Sequence, residues 1–411
     1  VPEKRILLKY CGEIDPKDIT AYEGKGGFRA LKRAREEMSP VDVVEEVKAS
    51  GLLGRGGAGF PCGVKWELAR SSRGRERYLI CNADEGEVGT FKDRYIIQND
   101  PFSLIEGMVI AAYAIGAKKA YIYLREEYHY LLGVLQNAVD RSKEKGYLDG
   151  LEIEIREGAG SYICGEESAL MNSIEGKRGE ARFRPPFPAT RGLFEKPTVI
   201  NNVETLVNVR HIVLKGAKWY NEMGTEKSKG TKVFAVSGDV ERPGVYEMEM
   251  GSELKELVVD LAGADQIKMV QVGGSTGGIV PSGMLSTPLS YETVLGSGGV
   301  VVFDESRDVI DFLYRTMEFL NEESCGLCTP CREGTEVMVE ILGRMLKGEG
   351  VQDDIQILED LSDAMMLSSL CGLGQTAAVP VLDTLKYFRN EFEIRISQSV
   401  FLRSLMAKTT V

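Results

Sequence analysis

Histidine is almost missing from this chain: His129 and His211 are the only two in 411 residues. A zinc site built on imidazole has little to draw on, because neither histidine stands at knuckle spacing from a cysteine. Long apolar runs are missing too. Stretches such as Met108 to Ile115 fall far short of the ~20 residues that a bilayer span needs, so no direct membrane insertion is expected. The third absence is an excess of positive charge. Fifty Lys and Arg against 62 Asp and Glu leave a net charge of −12, the wrong sign for a nucleic-acid partner, and no basic patch offsets it. No secretory leader is evident, and eight cysteines in a largely metal-like pattern suit a reducing, cytoplasmic location; what preceded Val1 is left open.

What is present is an ordinary folded composition, 43% hydrophobic and 27% charged, in a chain long enough for two or three cores. Glycines are numerous, and they gather at 51–59, 273–278 and 296–299, where backbone must come close to something. Cys325, Cys328 and Cys331 form a C-x₂-C-x₂-C turn, and Cys371 follows forty residues later. Such a turn can offer three sulfurs to one 4Fe-4S core while a distant thiolate completes it. Structural zinc and plain buried thiols are the alternatives at this point. Cys11, Cys62, Cys81 and Cys164 share no pattern and read as small buried or loop thiols.

The first half alternates strands (Tyr78 to Cys81, Ala120 to Leu124, Leu151 to Ile155) with helices (Pro40 to Ala49, Pro101 to Ile115, Glu126 to Lys145). That rhythm predicts an α/β unit with a largely parallel sheet and a ligand beyond the strands' carboxyl ends. From Thr231 to Asp304 the pattern changes to three strands around one short helix, a small α+β unit. Beyond Ser306 four helices are expected near Arg307 to Leu320, Arg332 to Leu346, Asp354 to Leu367 and Ala377 to Glu393. In an up-down-up-down bundle the first and third loops share an end, which brings Cys371 beside the cysteine turn.

Three loops carry candidate chemistry. Gly54-Arg-Gly56-Gly-Ala-Gly59 matches G-x-G-x-x-G but follows a helix, so it is no Rossmann turn. Its glycines can still lie flat against a planar or phosphorylated ligand, with Arg55 and Lys65 supplying charge and Phe60 an aromatic face; a plain surface loop is the alternative. Asn82 to Glu87 is an acid-rich loop after a strand, either a solvated turn or a set of acceptors for ribose and flavin groups that would favour NAD over NADP. Gly158 to Ser168 lies at the same rim, and Asn201-Asn202 opens a helix whose free amides suit a phosphate, although Asn202 alone is simply an N-cap.

Four motifs, GRGGAGFPCGVKW, CNADEGEVGTFKDR, GAGSYICGEESALMNSIEG with INNVETL, and SCGLCTPCREGT followed by SLCGLGQTA, make the chain resemble the NADH-binding flavoprotein subunits of respiratory complex I, NAD-linked hydrogenases and formate dehydrogenases. The similarity runs from about Gly26 to Phe392. It implies a Rossmann-like FMN-binding domain at 1–228, a β-grasp (ubiquitin-like, SLBB) domain at 229–305, a four-helix 4Fe-4S domain at 306–393 and a C-terminal tail at 394–411. It implies FMN contacts from Gly54, Arg55, Gly56, Ala58, Lys65, Asn82, Asp84, Glu85, Gly165, Asn201, Asn202 and Thr205. Phe60, Glu87, Tyr162, Glu166, Glu167, Arg184 and Phe187 would line the NADH side, with Glu85, Glu87 and Tyr162 at the reacting centre and Cys325, Cys328, Cys331 and Cys371 on the cluster. Arg184 stands where the family often has lysine, Leu68 replaces an aromatic residue, and Cys62 replaces a frequent threonine.

The activity implied is hydride transfer from NADH to FMN and single-electron release to the cluster. The opening segment, Arg5 to Ile19, looks closer to the hydrogenase branch than to complex I. Partners implied are a small thioredoxin-like 2Fe-2S subunit and a large iron–sulfur catalytic subunit of the FeFe hydrogenase kind. Complex I and formate dehydrogenase stay open, as does a non-catalytic scaffold held by zinc. Larger relatives add a 2Fe-2S domain before this unit and a two-cluster ferredoxin domain after it; no cysteine follows Cys371 and only Cys11 precedes the glycine loop, so neither is expected here.

Overall fold

In the computed structural model residues 3–74 and 76–409 are described, with side chains as far as residue 398. The chain opens with helices α1 (Ile19–Gly24), α2 (Arg29–Glu37) and α3 (Pro40–Ala49). The start of α3 is set by a reciprocal capping box between Ser39 and Asp42, with Pro40 in the first turn. The glycine-rich segment then folds back on itself: Leu53 bridges Pro61, and the Gly54 amide donates to the Phe60 carbonyl at 2.9 Å. Helix α4 (Cys62–Ser71) leads out of it.

There follow β1 (Tyr78–Ala83), α5 (Lys92–Asn99), α6 (Pro101–Ile115), β2 (Lys119–Leu124), α7 (Leu132–Glu144), β3 (Glu152–Glu157), α8 (Glu167–Ile174), β4 (Thr198–Asn202), α9 (Val203–Lys215) and α10 (Ala217–Asn221). The helix expected from Glu126 begins as a 3-10 segment, and the α-helix proper starts at Leu132. Nearly all of α6 is buried, which explains its apolar run; Asp100 caps it, and Gly116 at φ 78° ends it. It crosses α9 so closely that a Cβ on Gly107 would sit 2.1 Å from the Leu206 carbonyl oxygen.

The four strands form a parallel sheet in the order β3-β2-β1-β4. Buried strands β1 and β2 read as unbroken apolar runs, whereas β3, at the edge, is half-exposed. Nothing in the sequence marks β4, because Thr198-Val-Ile is short and Asn201-Asn202 carries cap chemistry; its register comes from β1, with Asn82 opposite Asn202. Strand order reverses at β1. The crevice between the carboxyl ends of β1 and β4 is therefore the switch point where an open α/β sheet takes its ligand.

A second sheet of β5 (Thr231–Gly238), β6 (Gly244–Glu249), β7 (Ile267–Val272), β8 (Gly278–Pro281) and β9 (Gly299–Asp304) runs in the order β6-β5-β9-β7-β8, with only the β5/β9 pair parallel. Strands β7 and β8 add to the three the sequence suggests. The glycine segments beside them touch: a Cβ on Gly296 (φ 52°) would lie 2.5 Å from Gly273 Cα, so no side chain fits.

The rest is helical: α11 (Val309–Glu322), α12 (Thr329–Leu346), α13 (Asp354–Ser368), the short α14 (Gly372–Thr376) and α15 (Val379–Thr409). Helix α15 passes residue 393 and continues to Thr409, so the stretch set apart as a tail prolongs it. Apolar packing joins the units. Tyr78, Ile80, Tyr121 and Tyr123 on one face of the parallel sheet share a continuous core with Leu313, Met317 and Leu342 of the bundle. No helix among the described residues is long and apolar enough to cross a membrane.

Candidate functional site

The floor of the crevice is built from asparagines held by their neighbours. Asn201 Oδ1 accepts from the indole of buried Trp66 at 2.8 Å, and Asn202 caps α9 on the Glu204 amide at 2.9 Å while its Nδ2 donates to Asp93 at 2.6 Å. The glycine loop lies against this floor. A Cβ on Gly56 would come within 3.1 Å of Asn202 Cβ, and the Arg55 amide donates to Thr205 Oγ1 at 2.8 Å. Gly56, Ala58 and Phe60 are exposed, so the loop's outer surface is free to face a ligand.

Arg55 departs from its expected role as a charge beside the ligand. Its side chain is buried beneath the loop and bonds Tyr220 Oη at 2.9 Å and the Lys229 carbonyl at 2.5 Å, although Nε and Nη1 have no partner. It braces the loop from below. Lys65 is the accessible cation, bonded to the Ile200 carbonyl at 3.2 Å and paired with Glu167 at 3.3 Å.

In the acidic loop, Asn82 Nδ2 donates to the Gly165 carbonyl at 2.8 Å, tying the first loop to the second. Asp84 Oδ2 is buried with no hydrogen-bond partner, and burial pushes this carboxyl up to about 7. An acceptor left bare at a switch point suits a ligand donor. Glu85 turns the other way. It accepts from the Asp93 and Arg94 amides at 2.8 and 3.0 Å and from Tyr128 at 3.2 Å, so it caps α5 rather than facing the reacting centre. Burial raises its carboxyl while those amides lower it.

Glu87 and Tyr162 do meet: the phenol donates to Glu87 Oε1 at 3.1 Å. Burial raises the Glu87 carboxyl, and hydrogen bonds from Ser297, Tyr162 and Thr276 pull it back. Two of these groups belong to the second sheet's glycine segments, and a Cβ on Gly274 would overlap the Glu87 carboxyl at 1.9 Å. Those glycines let the second unit close over the acid. Glu166 caps α8 through the Ser168 and Ala169 amides, both at 2.9 Å, and pairs with Arg184, which also reaches Glu167 at 3.2 Å. Phe187 is 56% exposed and Phe60 46%, large apolar faces left open beside this ion-pair chain.

Cys325, Cys328, Cys331 and Cys371 line one small pocket with Leu327, Leu370 and Leu373. Its far wall is Ile163 and Ala181, from the α/β unit. Among the described residues no three Cys, His, Asp or Glu side chains close on a single-ion geometry; the four thiols instead share the pocket's wall. An all-thiol donor set with apolar surroundings fits a 4Fe-4S core. Ser324 Oγ lies 3.3 Å from Cys331 Sγ, where its hydroxyl can donate to sulfur. Trp66, Asp93, Ser297, Ser324 and Glu323 escape a reading of the sequence alone, since each earns its place through a contact that folding creates.

Residues 47–211 match the family model described as the Nuo51 FMN-binding domain, and residues 311–395 match the NADH-ubiquinone oxidoreductase-F iron-sulfur binding region. The second span contains all four cysteines and sets zinc aside. The NADH-quinone oxidoreductase F-type subunit 2 of Rhizobium meliloti is 44% identical over 96% of this chain and 98% of its own. The NADP-reducing hydrogenase subunit HndC of Solidesulfovibrio fructosivorans is 42% identical over 95% and 83%. Among solved structures, the NAD+-reducing NiFe hydrogenase in its H2-reduced state superposes with a TM-score of 0.88 at 40% identity, covering 96% of this chain and 67% of that one.

Proposed function

Since this chain belongs to the family of NADH-oxidising flavoprotein subunits that serve NADH-quinone oxidoreductases and NAD-linked hydrogenases, we propose that the β1/β4 crevice seats its FMN and that the four-cysteine pocket holds its 4Fe-4S cluster. When bound, FMN supplies a hydride acceptor for NADH and the cluster an acceptor for single electrons. The chain's own residues bind and orient. Gly54, Gly56 and Ala58 present backbone to the flavin, Asp84 and Asn82 offer polar partners, and Lys65 offers positive charge. Asn201, Asn202 and Thr205 shape the floor near the phosphate, with Gly165 at the rim. Phe60 and Phe187 stack on NADH, Arg184, Glu166 and Glu167 hold its polar parts, and Tyr162 fixes Glu87 toward the nicotinamide ribose. Arg55 and Glu85 act through the loops they brace.

One observation carries this reading. Tyr162 bonds Glu87 on the nucleotide side and packs its ring on Phe319 of the bundle, while the next residue, Ile163, lines the cysteine pocket. Donor and acceptor stations therefore share one short segment. The test is optical: purified protein should show flavin and broad iron–sulfur absorbance, bleached by NADH and not by NADPH. A colourless protein overturns the reading.

For context we favour a cytoplasmic NAD-linked hydrogenase with a thioredoxin-like 2Fe-2S subunit and a large FeFe-type subunit, supported by the opening segment and by likeness to two hydrogenase proteins. The second reading, a quinone-linked complex, draws on the near full-length match to the Rhizobium meliloti protein. The subunits that copurify decide between them.

A further inference from the structure

Two hydrogen bonds cross the seam between the α/β unit and the helical bundle in opposite directions. At the end of α11, Glu323 Oε2 accepts from the Tyr162 amide at 2.7 Å. From the loop after α8, Arg178 Nη2 donates to the carbonyl oxygen of Cys325 at 2.7 Å. The second contact places a guanidinium of one unit on the peptide of a cluster ligand in the other. Arg332 Nη1, within the bundle, donates to the next carbonyl, that of Gly326, at 2.8 Å. The Cys325–Gly326 turn is thus held by two cations, one from each side of the seam.

We infer that Arg178 is a positioning residue for the cluster: it fixes the Cys325 turn and, by its charge and hydrogen bond, stabilises the cluster's reduced state. The inference rests on the cysteine assignment made above. A reduced cluster carries one more negative charge than its oxidised form, so a cation hydrogen-bonded to a ligand's own peptide favours reduction. Being exposed, Arg178 has its Coulomb contribution partly screened by salt, whereas the orientation of the carbonyl is not screened. Because the cation comes from the nucleotide-binding side, the cluster reaches its working potential only when the two units are docked.

The test is a redox titration of the full complex, following the electron paramagnetic resonance of the reduced cluster in the parent, in Arg178→Met and in Arg178→Gln. The methionine variant removes charge and donor; the expected outcome is up to a tenfold loss in the reduction equilibrium, about 59 mV downward for one electron, with unchanged iron and flavin content. Glutamine keeps a donor without the charge and should fall between the two. A midpoint that stays at the parental value in Arg178→Met with iron retained overturns the inference. Should Arg178→Met lose iron, the glutamine variant decides by the same criterion. A parent complex with flavin but no iron would instead sink the cysteine assignment itself.

Discussion

The phenol of Tyr162 donates to Glu87 at 3.1 Å while its ring stands 5.5 Å, centroid to centroid, from Phe319 of the cluster bundle. One side chain thus touches the acid proposed to face NADH and the helix that precedes the cysteine turn. Tyr162→Phe keeps the ring contact and removes the hydrogen bond. Since that bond helps hold the Glu87 carboxyl down against burial, its loss should move the acid limb of the kcat/KM profile to higher pH. The rate constant should fall about tenfold at neutral pH, ~1.4 kcal/mol. An unmoved profile would remove Glu87 from the NADH site.

Cys371→Ala should cost the 4Fe-4S signal and leave the flavin in place, because the crevice between β1 and β4 is built without bundle residues. NADH-driven reduction of ferricyanide, which can take electrons at the flavin, should persist. Retention of the intact cluster signal would mean that Cys371 is no ligand.

Asp84→Asn separates stability from binding. The native state holds this proton up to about pH 7, whereas an unfolded aspartate releases it near its ordinary value of 3.8. Folding is therefore penalised progressively as pH rises through that window, and the full penalty stands above it, on the order of a few kcal/mol. The flavin-free variant should melt higher than the parent at pH 8, with the gap closing toward pH 4. Its FMN affinity should drop. A variant equally stable at both pH values, with normal flavin content, would show that Asp84 is solvated and idle.

A buried ion network offers a fourth prediction. Glu204 meets Lys232 at 2.5 Å, Lys92 at 3.1 Å and the Val233 amide at 2.8 Å, with all three side chains almost wholly covered. Glu204→Gln leaves two lysines short of their counter-charge and should destabilise the protein by about 3–5 kcal/mol. Lys232→Met combined with Glu204→Gln should cost less than the sum of the two single changes. Additive denaturant midpoints would show that the pair is not coupled.

Local patterns carried much of this architecture. Period and composition marked β1 to β3, and loop position together with helix topology brought the cysteines to one end. Where the sequence falls short, the cause is distance. Strand β4 takes its register from β1, and its asparagines look like caps because one of them is a cap. Glu85 sits in a motif rich in acids, but its partners are amides eight and nine residues on, at the start of a helix that folding swings beneath it. Arg55 carries a charge that spacing aims at a ligand, until Tyr220 and the Lys229 carbonyl, far along the chain, claim its guanidinium.

The face of the parallel sheet formed by Tyr78, Ile80, Tyr121 and Tyr123 lies in one core with Ala169 to Met171 of α8 and with the apolar interior of the helical bundle. A chain cut ahead of the bundle would leave much of that shared core wet, so the flavin half should not survive alone as a soluble fragment. The two redox stations are thereby inherited as one indivisible cassette, and a lineage that retires the cluster must first find a new lid for the sheet.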